Sequence, residues 1–145
     1  MNIRTMDARD IDALLAIQSA SPETAQWVTW DYNRVAAGEM AGWIAEENGE
    51  VVGFLMGRQV VSDLEILNFA VAPAARRRGV GAALLQEAIE FGKVIHAENA
   101  LLEVRASNLA ALQFYERHAF RATGRRLRYY AAPVEDALVL TLRLA

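Results

Sequence analysis

The stretch that most constrains this chain is a strand, a basic loop and a helix in direct succession. Residues 64–71, Leu-Glu-Ile-Leu-Asn-Phe-Ala-Val, are mostly apolar and predict a strand. Three arginines, Arg76–Arg78, then precede Gly79 and Gly81, after which apolar residues recur at helical spacing. A helix N-terminus has unpaired N–H groups and the positive end of the helix dipole, and glycine lets a ligand approach the backbone. This stretch therefore predicts a binding site for phosphate.

Composition narrows the class of protein. The chain has 145 residues, 54% of them hydrophobic, which predicts one folded domain over residues 1–145. The net charge of −3 argues against a nucleic-acid partner. The absence of cysteine excludes disulfides and thiolate metal sites, and two isolated histidines predict no metal site. The first residues lack the order of a signal peptide and no apolar run has membrane length, so we expect a cytoplasmic protein without a membrane partner.

The order of predicted elements gives the fold class, a mixed α/β domain. Helices are predicted from the Asp7 cap to about Ser19 and over residues 23–37, 79–93 and 109–118. Strands are predicted over residues 2–6, 40–46, 51–61, 64–71, 100–105, 120–130 and 138–144, with an Asn-Gly hairpin at 47–50. The strand–helix–strand crossover from 64 to 105 should make those two strands parallel neighbours in a mostly antiparallel sheet. The final strand either stays an edge or pairs across a dimer, so we expect a monomer or a weak homodimer.

The glycine loop is compatible with several ligands. A P-loop would need a lysine after Gly81, which Ala82 replaces, and a dinucleotide fingerprint would need a third glycine where Leu84 stands. A solvated arginine run at a helix start is the structural alternative.

A second informative stretch lies downstream, at Glu103 and Tyr115. Period two places Glu103 in mid-strand with Leu101 and Arg105 on its face. A carboxylate there predicts either an ion pair, with Arg105 or a nearby arginine, or a general base. Asn108 and Tyr115 are two helical turns apart on one face, with Leu112 between them. Alone, Asn108 is a helix cap and Tyr115 a core aromatic; together they suggest the wall of an extended ligand groove.

Arg76-Arg77-Arg78-Gly79-Val80-Gly81 resembles the Arg-x-x-Gly-x-Gly/Ala pyrophosphate loop of the GNAT acetyltransferase superfamily. The resemblance implies a sheet of about seven strands flanked by about four helices, in which the strand before the loop is bulged and splayed from its parallel neighbour. It implies acetyl-CoA as cosubstrate, with no metal. The residues implied to hold it are Phe69, Ala70, Val71, Arg76, Arg77, Arg78, Gly79, Val80, Gly81, Ala82, Asn108 and Leu112.

Leu-Glu-Val-Arg-Ala-Ser-Asn at 102–108, Phe-Tyr-Glu at 114–116 and the Tyr-Tyr pair at 129–130 resemble the ribosomal-protein N-terminal alanine acetyltransferases (the RimI type). That resemblance implies that Glu103 is the general base and that Tyr115 is the general acid. It also implies that Tyr130 and the loop between the first two helices contact the acceptor, the N-terminal amine of a protein. Attack on the thioester is then direct, without a covalent enzyme intermediate.

The loop at residues 18–30 departs from the Pro-Trp/Phe pattern of that family, so the acceptor is the open question. Trp27 and Trp30, which we expect to contact the acceptor, could with Tyr32 cage a small cationic amine instead. The second alternative is a non-catalytic acyl-CoA-binding domain, which would need neither Glu103 nor Tyr115.

Overall fold

The computed structural model describes every residue from Met1 to Ala145. The chain forms one seven-stranded sheet with helices on both faces. The elements are β1 Asn2–Thr5, α1 Ile11–Ser19, α2 Thr29–Ala36, β2 Ala41–Glu47, β3 Glu50–Val60, β4 Asp63–Val71, α3 Val80–Val94, β5 Asn99–Arg105, α4 Leu109–Arg117, β6 Arg121–Ala131 and β7 Val134–Arg143. The strand order is β1-β2-β3-β4-β5-β7-β6. Every neighbouring pair is antiparallel except β4 and β5, which are parallel. The predicted fold class is confirmed.

The sheet separates two hydrophobic cores. On the α1/α2 face, Leu14 and Tyr32 pack with Phe54 of β3. On the α3/α4 face, buried residues of α3 at helical spacing, Val80, Leu84, Leu85 and Ala88, pack against the strands together with Tyr115 of α4. α3 is the longest helix at 15 residues. None of the four helices is both long enough and apolar enough to cross a bilayer.

Strand β4 contains a bulge that reverses which face of the sheet the side chains of its second half point to. Met56 of β3 lies opposite Asn68, whereas its neighbour Gly57 lies opposite Ile66, so Leu67 is an extra residue. Ile66 therefore packs on the α3/α4 face, and Asn68 and the residues after it follow the opposite alternation.

Beyond the bulge, β4 leaves its parallel neighbour. The two strands pair only from Asp63–Glu65 to Asn99–Leu101. A bulge increases local strand twist, which separates the C-terminal half of β4 from β5. The predicted splayed pair is confirmed, and the gap between its arms holds the candidate site.

The second predicted helix is shorter than expected. Residues 23–28, predicted to be helical, form a loop in which the Gln26 amide donates to backbone carbonyls, including that of Thr24 at 2.9 Å. Helix α2 begins only where the Asp31 carboxylate accepts the Val28 N–H at 2.9 Å. The Gln26 contacts thus satisfy the loop without a helical backbone.

The last strand starts earlier and lies deeper in the sheet than predicted. β7 begins at Val134, not at residue 138, because its charged residues are paired: Glu135 with Arg105 at 3.2 Å and Asp136 with Arg125 at 2.7 Å. β7 runs between β5 and β6. The expectation that the final strand could be an edge is therefore wrong, and β6 is the edge on that side.

Candidate active site

A cleft of about 1110 Å³ fills the gap between β4 and β5. Its walls come from the second half of β4, the start of α3, β5 with α4, the β6–β7 hairpin and residues 21–26. A second depression, of about 760 Å³, lies beside Arg4, Asp10 and Glu46. Arg4 pairs with Asp10 and Glu46 there, at 2.8 and 3.0 Å, so these three charges are already matched within the protein.

The N-terminus of α3 brings unpaired backbone donors to one end of the cleft. The first hydrogen bond of the helix runs from the Ala83 N–H to the Gly79 carbonyl at 3.0 Å, and the N–H groups of Val80, Gly81 and Ala82 donate to no protein atom. Gly79 has a φ of +80°, and a Cβ there would meet nothing within 4 Å. Three free donors at the positive end of a helix, with open space before them, fit the pyrophosphate of coenzyme A.

Arg76 links the loop before α3 to residues 21–26, which form another wall of the cleft. Its guanidinium donates to the Val71 carbonyl at 3.2 Å and to the Ser21 hydroxyl at 3.1 Å, and it lies 3.6 Å from the Glu23 carboxylate. The three contacts join the loop before α3 to residues 21–26.

Arg77 and Arg78 differ in whether their guanidinium groups are free to bind a ligand. Arg78 lies 2.8 Å from the Glu47 carboxylate and does not line the cleft. Arg77 lines the cleft, has no ion pair within the protein, and holds a left-handed φ of +66°. Of the two, Arg77 is the one that can meet a bound anion.

Phe69, Ala70 and Val71 line the cleft as expected of its β4 wall. The Phe69 ring lies on the α3/α4 face, 5.8 Å from Phe114 between ring centroids. The edge of this segment that faces β5 has no strand partner. Its backbone groups can therefore pair with an extended ligand, although the Val71 carbonyl already accepts Arg76.

Glu103 stands in mid-β5 on the α1/α2 face, with 23% of its side chain exposed. The predicted ion pair forms with Arg126, whose Nε donates to Glu103 Oε1 at 2.8 Å, while Arg105 pairs with Glu135. Arg126 is itself 57% exposed. A pair this open to water contributes about 0–1 kcal/mol, so Glu103 can exchange it for a contact to a ligand.

Tyr115 reaches the cleft from the opposite, α3/α4 face. Its side chain is buried against the rings of Phe114 and Phe120, at centroid distances of 5.3 and 5.4 Å. The hydroxyl makes no hydrogen bond within the protein, and burial raises the pKa of this phenol above its ordinary value. It is therefore protonated at neutral pH and available as a donor.

Asn108 caps α4 and also lines the cleft. Its Oδ1 accepts the Ala111 N–H at 3.2 Å, which leaves the amide nitrogen as a free donor. Leu112 does not line the cleft: it packs into the core, and Ala111 and Phe114 form the wall. The structure thus brings Asn108 and Tyr115 to one wall, without Leu112.

Trp27 and Trp30 lie outside the cleft. The Trp27 ring packs on the buried Tyr32 at 5.1 Å, and Trp30 is 64% exposed beneath the Arg34 guanidinium. Residues 21–26 line the cleft in their place, because the chain enters α2 later than predicted.

Tyr130 lines the cleft from the β6–β7 hairpin. The Arg105 guanidinium lies 4.3 Å from its ring centroid, and burial raises the pKa of Tyr130. Tyr129 lines the cleft beside it, where interaction with the Glu103 carboxylate raises the pKa of Tyr129. Both phenols are protonated at neutral pH and form a polar rim.

Sequence reasoning missed Asn68 and Phe114 as lining residues; residues 21–26 lie within the loop at 18–30 that was expected to contact the acceptor. A period-two alternation without the bulge places Asn68 on the face of Ile66, the wrong face. One signal was present: a buried amide within an apolar strand is costly unless it is paired.

The chain matches the family model described as "Acetyltransferase (GNAT) family" over residues 8–120, which include β4, α3, β5 and α4. An N-alpha-acetyltransferase of Sulfurisphaera tokodaii is 33% identical over 98% of this chain and 92% of its own. A ribosomal protein bS18-alanine N-acetyltransferase of Escherichia coli is 34% identical over 68% of each chain. The crystal structure of the ribosomal-protein-S18-alanine N-acetyltransferase from Escherichia coli superposes with a TM-score of 0.87 at 26% identity, covering 99% of this chain and 94% of the other.

Proposed function

This chain belongs to the GNAT family of acetyltransferases, and we propose that it acetylates the N-terminal α-amine of a protein, such as a ribosomal protein. The observation that carries the acceptor class is the course of the cleft. It passes from the anion loop on one face of the sheet to a slot between residues 21–26 and the Tyr130 hairpin on the other. A slot of this kind suits the first residues of an extended chain. The names of the relatives from S. tokodaii and E. coli agree with that acceptor.

Acetyl-CoA supplies an acetyl thioester whose carbonyl carbon an amine can attack. The N–H groups of Val80–Ala82 hold its pyrophosphate, and Arg77 adds a positive charge beside them. The free edge of Phe69 and Ala70 and the amide nitrogen of Asn108 hydrogen-bond the pantetheine arm. The amine attacks the thioester directly, which agrees with the absence of a cysteine nucleophile.

Glu103 removes the proton from the acceptor. An α-ammonium has a pKa of about 7.7–8.0, so a carboxylate acting through one water is a strong enough base near neutral pH. Glu103 lies on the α1/α2 face, where the slot opens, and can release Arg126 when the acceptor enters.

Tyr115 acts on the leaving sulfur from the other face of the sheet. Its hydroxyl has no competing partner, and its raised pKa keeps the proton on oxygen at neutral pH. The phenol donates to the negative charge that develops on sulfur as the thioester bond breaks, which is the role of a general acid.

The competing acceptor is a small-molecule amine. Trp27, Trp30 and Tyr32 would have formed its aromatic cage, but none of the three lines the cleft. A non-catalytic acyl-CoA-binding domain has no use for Glu103 and Tyr115 on opposite walls of one cleft. We further propose a cytoplasmic protein, monomeric or weakly dimeric through the β6 edge, where exposed arginines oppose uncontrolled pairing.

An acceptor screen tests the proposal. Peptides beginning with Ala, Ser, Gly or Met are incubated with acetyl-CoA, each in free and N-terminally blocked form and each with one internal lysine. Polyamines and free amino acids are tested in parallel. We expect acetylation of the free peptides alone, located at the α-amine by mass spectrometry. Acetylation of the polyamine or amino acid without any peptide would favour the competing acceptor.

A further inference from the structure

Asn68 is a buried amide whose carbonyl oxygen has no partner. It lines the cleft directly after the β4 bulge and is 3% exposed. Its Oδ1 is the one buried side-chain polar atom in the protein that makes no hydrogen bond. Folded proteins leave few such atoms, because an unsatisfied buried acceptor destabilises the fold.

The direction of this amide is fixed by a hydrogen-bond chain that starts at the backbone. Gln18 Nε2 donates to the Trp27 carbonyl, so Gln18 Oε1 faces Tyr32 and accepts its hydroxyl proton at 2.6 Å. The Tyr32 oxygen can then only accept, and Asn68 Nδ2 donates to it at 3.1 Å. Because the Trp27 carbonyl cannot donate, the chain has one polarity, and Asn68 Oδ1 is the atom left over.

Asn68 lies on the side of the cleft where an amine arrives. The bulge turns it to the α1/α2 face, which also carries Glu103, whereas Phe69 turns to the α3/α4 face with Tyr115. Three carboxylates line the cleft: Glu23, Glu65 and Glu103. Each of them is paired with an arginine, at 3.6, 3.2 and 2.8 Å, whereas Asn68 Oδ1 has no partner. A carbonyl oxygen accepts from a cationic N–H more strongly than from a neutral one, so an ammonium is a fitting donor to Oδ1.

We propose that Asn68 is an acceptor-binding residue, whose Oδ1 takes a hydrogen bond from an N–H of the incoming ammonium opposite Glu103. This rests on the proposed amine acetylation and assigns a recognition group to each strand of the splayed pair. An ammonium has enough N–H donors for both strands at once: one proton goes towards Glu103 while another stays on Asn68. A hydroxyl has a single donor and cannot satisfy both, so the pair also selects amines.

The test compares Asn68→Ala with Tyr32→Phe, using a peptide that the wild-type enzyme acetylates. Both changes break the same buried chain, so both lower the melting temperature, but only Asn68→Ala removes Oδ1. We expect Asn68→Ala to raise the acceptor KM about tenfold and Tyr32→Phe to raise it by less than about threefold. Calorimetry should give a Kd for acetyl-CoA within about twofold of wild type for both variants. Asn68→Ser, which restores an oxygen acceptor, should recover part of the KM and serves also if the alanine variant does not fold.

Three results would overturn the inference: an unchanged acceptor KM in Asn68→Ala and Asn68→Ser, an equal rise in Tyr32→Phe, or a rise in the acetyl-CoA Kd instead. The first assigns Oδ1 to water, the second makes the effect structural, and the third assigns Oδ1 to the pantetheine arm. If the wild-type enzyme acetylates a small amine, the same comparison is made with that amine. A wild-type enzyme that acetylates no amine rejects the proposed function itself, a result that none of the variant outcomes imitates.

Discussion

The two ends of the cleft are built from different parts of the chain. The anion end uses backbone, the free N–H groups of Val80–Ala82 behind the left-handed Gly79. The proposed acceptor end is lined by side chains from separate strands, chiefly Asn68, Glu103 and Tyr130. Backbone donors are present whatever side chains surround them, whereas each side chain at the acceptor end is a separate requirement. We therefore expect single substitutions at the acceptor end to lower kcat by a larger factor than single substitutions at the anion end raise the Kd for acetyl-CoA.

The largest expected effect is that of Glu103→Gln. Loss of a general base should lower kcat about a thousandfold, while the Kd for acetyl-CoA, whose binding uses the other end, stays unchanged. Stopped assays and calorimetry measure the two quantities. Glu65→Gln is the matched control, because Glu65 lines the same cleft but lies before the bulge, where β4 is still paired with β5. A kcat for Glu103→Gln equal to wild type at every pH would refute the base role.

Tyr115→Phe comes next, because Tyr115 acts at the boundary between the two ends. Removal of the hydroxyl should lower kcat about a hundredfold with little change in either KM. Burial raises the pKa of Tyr115, so its phenol remains protonated beyond the pH at which an ordinary tyrosine ionises, about 10. The ratio of wild-type to variant kcat should thus be constant from about pH 7 to 10. A ratio that falls towards one within that range contradicts the donor role.

The same difference explains what the sequence could predict. The anion loop is local: Arg76–Gly81 are consecutive, and their neighbours dictate a strand, a turn and a helix start. The parallel pair follows from the length of the crossover between residues 64 and 105. The acceptor end is assembled by long-range contacts, so local patterns made residues 23–28 helical and placed Trp27 and Trp30 in the cleft.

Register errors account for the rest. One extra residue at Leu67 reverses the alternation, which hid Asn68 from a period-two argument. The insertion of β7 between β5 and β6 depends on pairing between distant segments, which no local periodicity encodes. The partner of Glu103 was left open between arginines for the same reason, because Arg126 comes from a strand that is not adjacent to β5.

A smaller effect is expected from side chains at the anion end. Arg77 has no partner in the protein, so Arg77→Ala should weaken acetyl-CoA binding about two- to fivefold, the range of an exposed charge contact. The loss should shrink at high salt, since solvent-exposed charges are screened. Arg78→Ala is the control: it breaks only the Glu47 pair and should change the Kd by less than about twofold. Equal losses for both variants would mean that the loop acts through its total charge.

The smallest expected effect is that of Arg76→Ala, which tests whether acetyl-CoA binding and acceptor binding are coupled. Arg76 touches both ends of the cleft, through Val71 on β4 and through Ser21 and Glu23 in the acceptor loop. Arg76→Ala should therefore raise the acetyl-CoA Kd and the acceptor KM together, each about twofold, because its contacts are half exposed. Glu23→Gln removes only the acceptor-side ion pair and should move only the acceptor KM. In the double variant the two changes in acceptor KM should not add, because both break one contact. Full additivity would show that the ends act independently, and that the difference between them is one of construction alone.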